Sequence, residues 1–330
     1  MKPRLAWVLG DAAGIGPELV AKGLANDELR KICRPVVVGP RWLLERGMQA
    51  AKAKVAAAAC QVEQMGSVPD RMVPVIDTGW PEQEYPHGVL SAEAGALCIE
   101  MLRVAVDLAR TGRVDAIVFA PLNKEALHLG GNPHSDELHL LAEWLGDTEA
   151  GEINAAAGLF TTRVTSHVPF REVPSLLSPD RVLRAVTMLY TTLTWAGIEP
   201  PTVAVAALNP HGGEHGLCGD EELTVIEPGV AKAQALGIPA VGPYPADTIF
   251  VRATRGEFHG VVTMYHDQGQ IAMKLLGFDR GVTIQGGLSI VITTPAHGTA
   301  FEIAGEGIAN PGAFCEAVRL AVKMAAGRAK

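Results

Sequence analysis

The chain contains no apolar run near the roughly 20 residues needed to cross a bilayer as a helix. Lys2 and Arg4 precede an apolar stretch, but LAWVLG is too short for a signal-peptide core and leads directly into the polar GDAAGIG. Basic residues do not accumulate either. The net charge is −8, and Lys and Arg cluster only in short spots at 2–4 and 30–34, which argues against a nucleic-acid partner. The five cysteines, Cys33, Cys60, Cys98, Cys218 and Cys315, are odd in number, dispersed and without a C-x-x-C pair. That is the usage of a reducing compartment, so a cytoplasmic protein with no membrane partner is expected. A Pro/Gly/Ser linker and a repeat of fixed period are also missing. With 330 residues, 48% of them hydrophobic, the chain is long enough for two ordinary domains. Two domains without a linker are expected to be joined by a chain that crosses between them twice.

Short apolar runs, several of them Val-rich and closed by Gly, Pro or polar residues, alternate with longer amphipathic segments. Runs at 4–9, 35–38, 114–120, 163–165, 202–207, 260–264 and 281–284 predict buried, largely parallel strands. Segments at 91–111, 178–196, 220–236 and 312–326 predict helices, with Pro179 in a first turn and Gly112, Gly197, Gly237 and Gly327 as stops. The fold class is α/β.

Three histidines occupy equivalent places. His167 in TSHVPFRE, His211 in LNPHGGEHG and His266 in MYHDQG each follow a predicted strand. In open α/β sheets the carboxyl ends of strands line the ligand crevice, so three imidazoles can converge on one cation there. Singly, each is explained as well by an ordinary loop histidine. Asp267 and Asp247 lie in candidate rim loops, where a carboxylate orients an imidazole or acts as a base. Lys274, two helical turns beyond His266, suits an anion or an enolate, or is simply a solvated helix lysine. GDAAGIGPE at 10–18 is read either as a phosphate cradle or as a tight strand-to-helix turn, since it fits neither G-x-G-x-x-G nor a Walker A loop. HGTAFEIAGEGIANP at 297–311 mixes small residues with His297, Thr299 and Asn310, a composition suited to an adenine nucleotide lying against the backbone.

The last of these stretches resembles the adenine-side NAD loop of the isocitrate and isopropylmalate dehydrogenase fold. Together with APLNKEALH, LNPHGGEHG followed by GDEE, GPYPADT and MYHDQGQIAMKLLGF, the chain resembles, over nearly its whole length, the 4-hydroxythreonine-4-phosphate dehydrogenase (PdxA) family of vitamin B6 biosynthesis. The resemblance implies two α/β/α domains with a cleft between them. Residues 1–122 with 268–330 would form the nucleotide side, and 123–267 the metal, substrate and dimerisation side. It implies that His167, His211 and the partner subunit's His266 hold one divalent metal ion (Zn, Co or Mg) in a homodimer. Lys274 matches a substrate-binding lysine. His297, Gly298, Thr299, Ala300 and Asn310 match positions of the NAD or NADP loop.

The departures bear on the substrate. Where the family carries a Gly-His-Thr-Glu box, this chain has NPHSDELH, with His134 and Ser135 as stand-ins. An asparagine and an arginine of the family pattern fall on Thr283 and Ile292. Losing the arginine removes a charge-assisted fork suited to phosphate or carboxylate. The expected activity is therefore metal-dependent, NAD(P)-linked oxidation of a secondary alcohol in a 4-hydroxythreonine-4-phosphate-like acid, with decarboxylation of the 3-oxo acid. The alternatives are a different sugar acid or diol carboxylate, acyl or phosphoacyl transfer, and a non-catalytic binding homologue.

Overall fold

In the computed structural model, which describes residues 2–329, twelve strands form among the described residues. In chain order they are β1 (Arg4–Val8), β2 (Arg34–Val38), β3 (Ala57–Cys60), β4 (Val73–Ile76), β5 (Ala116–Phe119), β6 (Gly151–Ala156), β7 (Leu159–Arg163), β8 (Val203–Ala206), β9 (Ala240–Tyr244), β10 (Gly260–Thr263), β11 (Val282–Gly286) and β12 (Val291–Pro295). The chain divides into two compact units, Met1–Ala150 with Leu288–Ala329, and Gly151–Gly287. The backbone thus passes between them twice.

The first unit has an all-parallel sheet in the order β3-β4-β2-β1-β5-β12. Both faces of its central strands are covered by helices, which is why RLAWV, RPVVV and AIVF read as continuous apolar runs rather than alternations. The helices at Ala92–Arg110 and Gly312–Arg328 pack on this sheet, and Trp7 of β1 meets Phe314 edge-on at 5.3 Å. Ser91 caps the first of these helices by accepting the Ala94 N–H at 3.0 Å.

The second unit is ordered β11-β6-β7-β10-β8-β9. Its β7, β10, β8 and β9 run parallel, whereas β6 pairs antiparallel with both β7 and β11. The two turn residues Ala157 and Gly158, both at positive φ, let β6 and β7 form a hairpin. Its core gathers Leu159, Ile249, Phe258, Val261 and Met273 around small alanines of β8.

Unit boundaries differ from those expected. The helix Lys124–Leu129, assigned from sequence to the second unit, packs on Ala92–Arg110 of the first, as does Glu137–Leu145. The helix His266–Gly277 packs on β6, β7 and β10 and so stays with the second unit. Among the described residues, no helix is long and apolar enough to cross a membrane. All five cysteines are free.

Candidate active site

The three histidines stand on adjacent loops at the carboxyl edge of the second unit's parallel strands: His167 after β7, His266 after β10 and His211 after β8. Two of these loops are tied together. The backbone N–H groups of Val164 and Thr165 donate to the carbonyls of Thr263 and Met264 at 2.8 and 3.1 Å, and the Thr165 hydroxyl also donates to Met264 O. Phe170 packs edge-on against Tyr265 across the same pair of loops. In consequence the His167 and His266 rings approach to 5.6 Å between centroids. Gln268 bridges to the third loop, accepting from Met264 N at 2.7 Å and donating to Ala207 O at 2.7 Å.

The His211 loop is anchored at its base. Glu222, 1% exposed, accepts the backbone N–H groups of Leu208 and Asn209 at 2.8 Å each, and the Asn209 amide donates to its second oxygen at 2.9 Å. Above this anchor, six successive residues from His211 to Gly216 have positive φ, and His167 does as well. For non-glycine residues that conformation is uncommon and strained, and it concentrates where side chains must be aimed. At Gly213 a Cβ would sit 2.6 Å from the Glu222 carboxylate, so the turn requires glycine.

His266 Nδ1 lies 2.6 Å from Asp267 Oδ1, and His211 Nδ1 lies 3.0 Å from Glu214 Oε1. A carboxylate only accepts, so Nδ1 bears the proton in each ring and the Nε2 lone pair is left for a ligand. Metal-bound imidazoles are oriented in this way, so the donor chemistry fits a borderline divalent cation. Side-chain exposures of 73% for His211 and 40% for His266 leave both rings reachable. Among the described residues of a single chain, no group of three His, Cys, Asp or Glu stands close enough to hold a metal ion.

The other residues expected on this side lie on neighbouring elements of the second unit. Asp247 is exposed in the first turn of the helix Ala246–Thr254, which follows β9. Lys274 is exposed on His266–Gly277. Thr283 in β11 is nearly buried and pairs in register with Asn154, whose amide donates to its hydroxyl at 3.1 Å. Asn154 in turn accepts from Arg163 and Gln270, and Arg163 pairs with Glu152 and donates to Ser166 at 2.7 Å. Thr283 therefore belongs to a polar chain that reaches the His167 loop.

In the first unit the sheet changes winding direction between β1 and β5, the kind of switch point at which open α/β sheets bind ligands. Three loops meet there. Asp11 N–H donates to Pro121 O at 3.1 Å and Ile15 N–H to Thr299 O at 3.1 Å, joining the loops after β1, β5 and β12. A Cβ at Gly14 would lie 2.9 Å from Thr299, so the two loops are in direct backbone contact. Asp11 itself is fully buried. One oxygen accepts from Ala13 N at 2.8 Å and the other has no partner. Burial raises its carboxyl above the ordinary range against the opposing effect of the Ala13 hydrogen bond.

The expected cofactor loop is pinned from below. Glu18, 2% exposed, accepts Ala309 N–H at 2.9 Å, and Lys22 donates to Glu18 and to the carbonyls of Gly307 and Ala309 at 2.7–2.9 Å. His297 Nδ1 bonds Gly298 O, Ala300 has φ +45°, and Asn310 accepts Gly312 N–H at the start of the last helix. Ile292 is fully buried in β12 opposite Ile117, with no accessible side-chain surface. His134 bonds Glu143 through Nε2, and the Ser135 hydroxyl donates to Asp136. Asp136 is the better-held group of that box. Burial opposes its charge, but hydrogen bonds from the His139 backbone and ring outweigh burial and lower its carboxyl below the usual range.

Sequence reasoning singled out the rim histidines but not the groups that hold them. Glu222, Asn209, Gln268, Glu18 and Lys22 look like ordinary helix or loop residues, because what distinguishes them is burial and distant partners. GDEE immediately after the histidine loop was the one local signal for Glu222.

Residues 31–321 match the family described as pyridoxal phosphate biosynthetic protein PdxA. A Pseudomonas aeruginosa protein provisionally named 4-hydroxythreonine-4-phosphate dehydrogenase 2 is 47% identical, the match covering 98% of this chain and 97% of that protein. The D-threonate 4-phosphate dehydrogenase of Cupriavidus necator is 40% identical over 99% of this chain and 98% of its own length. A crystal structure of 4-hydroxythreonine-4-phosphate dehydrogenase from Klebsiella pneumoniae superimposes with a TM-score of 0.87 at 36% identity, covering 98% of each chain. With two loop clusters built at strand carboxyl ends and a match running through nearly all of both units, the chain belongs to the PdxA family of NAD(P)-dependent dehydrogenases.

Proposed function

We propose that this enzyme is a cytoplasmic homodimer that oxidises the C3 hydroxyl of a phosphorylated four-carbon hydroxy acid and releases CO2 from the 3-oxo acid. Its divalent cation is held by His167, His211 and His266, drawn from both subunits. The observation that carries the reading is the pairing of each of two rim imidazoles with a carboxylate through Nδ1, which presents Nε2 outward. A divalent cation held by these residues would supply Lewis acidity toward the substrate oxygens, and NAD or NADP would supply the hydride acceptor.

The chain's own groups have distinct tasks. Asp267 is committed to orienting His266, so Asp247, exposed at the head of its helix, is the carboxylate available to take the alcohol proton. His297, Gly298, Thr299, Ala300 and Asn310 form a backbone platform for the dinucleotide. Lys274 holds the carboxylate or phosphate of the substrate, and its ammonium steadies the enolate left when the C–C bond to CO2 breaks. His134, Ser135 and Thr283 offer polar contacts, whereas Ile292, fully buried in β12, contributes no side-chain contact to the substrate. The relatives named above act on acids bearing an amino group or a hydroxyl at C2. Preference for the amino compound would place the enzyme in vitamin B6 biosynthesis.

A panel containing both acids, each with and without its phosphate, separates these options by NAD(P)H formation with and without a chelator. The expected result is chelator-sensitive reduction with a phosphorylated acid and equimolar CO2. Reduction that survives complete metal removal, or none with any member, contradicts the proposal.

A further inference from the structure

The two short basic spots at 2–4 and 30–34 come together at the amino-terminal edge of the first unit's sheet, opposite the edge that carries the Asp11 and Thr299 loops. There they line a pocket of about 410 Å³ with Arg71, which precedes β4. Lys2, Arg4, Arg30, Arg34 and Arg71 face one acid, Asp70, giving the lining a local net charge of +4 in a protein whose total is −8. Arg4 and Arg34 are direct register partners on adjacent parallel strands, so two like charges stand side by side in a place where cross-strand pairing is usually complementary. Arg4 is satisfied by Arg113 O at 3.1 Å, Lys2 donates to Arg30 O at 3.1 Å, and Arg30 meets Asp27 at 2.5 Å. Arg34 and Arg71 have no acceptor among the described residues. Asp70 neutralises neither of them.

We propose that this pocket is a second ligand site, separate from the catalytic rims, that binds a small organic phosphate carrying two or more negative charges. The unengaged guanidinium forks of Arg34 and Arg71 match phosphate oxygens in bidentate fashion. The pocket's volume is within the range of small-molecule sites, and its floor is apolar where β2 and β4 begin. A single carboxylate would leave most of the cationic lining uncompensated, so a multiply charged anion is the better complement. The two substituted arginines are both exposed, so replacing them leaves the core intact.

The test is hydrogen–deuterium exchange on the full-length enzyme with pyrophosphate or ADP as probe. At about twice the dissociation constant, exchange of the opening amides in residues 62–74 slows about threefold. In Arg34→Gln/Arg71→Gln the affinity falls roughly tenfold or more and that protection disappears, while an Arg34→Lys/Arg71→Lys variant keeps part of it. Protection with ADP but not pyrophosphate still supports the site and shows that the apolar floor contributes. Protection limited to residues 10–16 and 297–310, protection unchanged in the double glutamine variant, or citrate protecting as well as pyrophosphate overturns the proposal. None of these readouts depends on catalysis, so failure here leaves the dehydrogenase reading untouched.

Discussion

The loop after β12 and the loop after β8 both break regular structure with glycine beside a histidine, yet they are held in opposite ways. Residues 297–310 lie flat on the first unit, fastened by Thr299 O to the β1 loop and by the buried Glu18 with Lys22 underneath. Residues 209–216 are fixed at their base by Glu222, with Glu221 also accepting from the Asn209 amide, and they rise through successive positive-φ residues with His211 exposed. The first arrangement offers backbone to a ligand and uses side chains for support. The second uses backbone strain to aim a side chain outward. The proposed platform for a flat dinucleotide and the proposed mount for a ligating imidazole need these different constructions.

The comparison is broken most severely at Glu222. Glu222→Gln turns an acceptor toward the Asn209 amide into a donor and removes charge from three hydrogen bonds in a buried place, a loss of about 3 kcal/mol. Chemical denaturation should show that loss, and metal affinity should drop roughly 10–100-fold. Retained affinity would mean the loop base does not govern His211. Lys22→Met is expected to act on the other loop, with a stability loss of about 2 kcal/mol from leaving Glu18 buried without its cation. The KM for the nicotinamide cofactor should rise more than kcat falls. A change in metal affinity instead would erase the proposed division between the loops.

The smallest effect is expected at Asp11. Its folded-state carboxyl is raised by burial, so the folded protein binds the extra proton. The resulting stability is fully present below the ordinary carboxylate range and is lost as pH rises through the raised value. Asp11→Asn keeps an acceptor for Ala13 N–H and removes the charge. Its Tm should therefore gain on the wild type as the pH increases from 4 to 7, in about the range where carboxyls titrate. A constant Tm difference across that range would contradict the burial argument.

Much of the architecture was legible because burial on both faces leaves a simple pattern. The Val-rich runs of β1, β2, β5, β8 and β10 were placed to within two residues, and Ser91 and Ser178 marked helix starts that the caps confirm. Other strands were hidden by their composition. β3 is AAAC inside an alanine-rich stretch whose local preference is helical, and only pairing with β4 makes it extended. β4, β9 and β12 contain proline, and β6 is polar because it lies in the Asn154–Arg163 network. The run at 163–165 lay at the end of β7 rather than at its centre, since LFTTR begins four residues earlier. For the site, the residues proposed to contact ligand stand at motif positions, whereas their supports depend on contacts as distant as Glu18 with Ala309, which local spacing does not encode.

The most direct test of the shared imidazole site is to mix His211→Ala with His266→Ala subunits after reversible dissociation. If the donors come from opposite protomers, each mixed dimer regains one intact site, and a random mixture recovers about a quarter of wild-type activity and bound metal. If all three belong to one chain, or if they hold no metal, mixing restores nothing beyond the inactive parents.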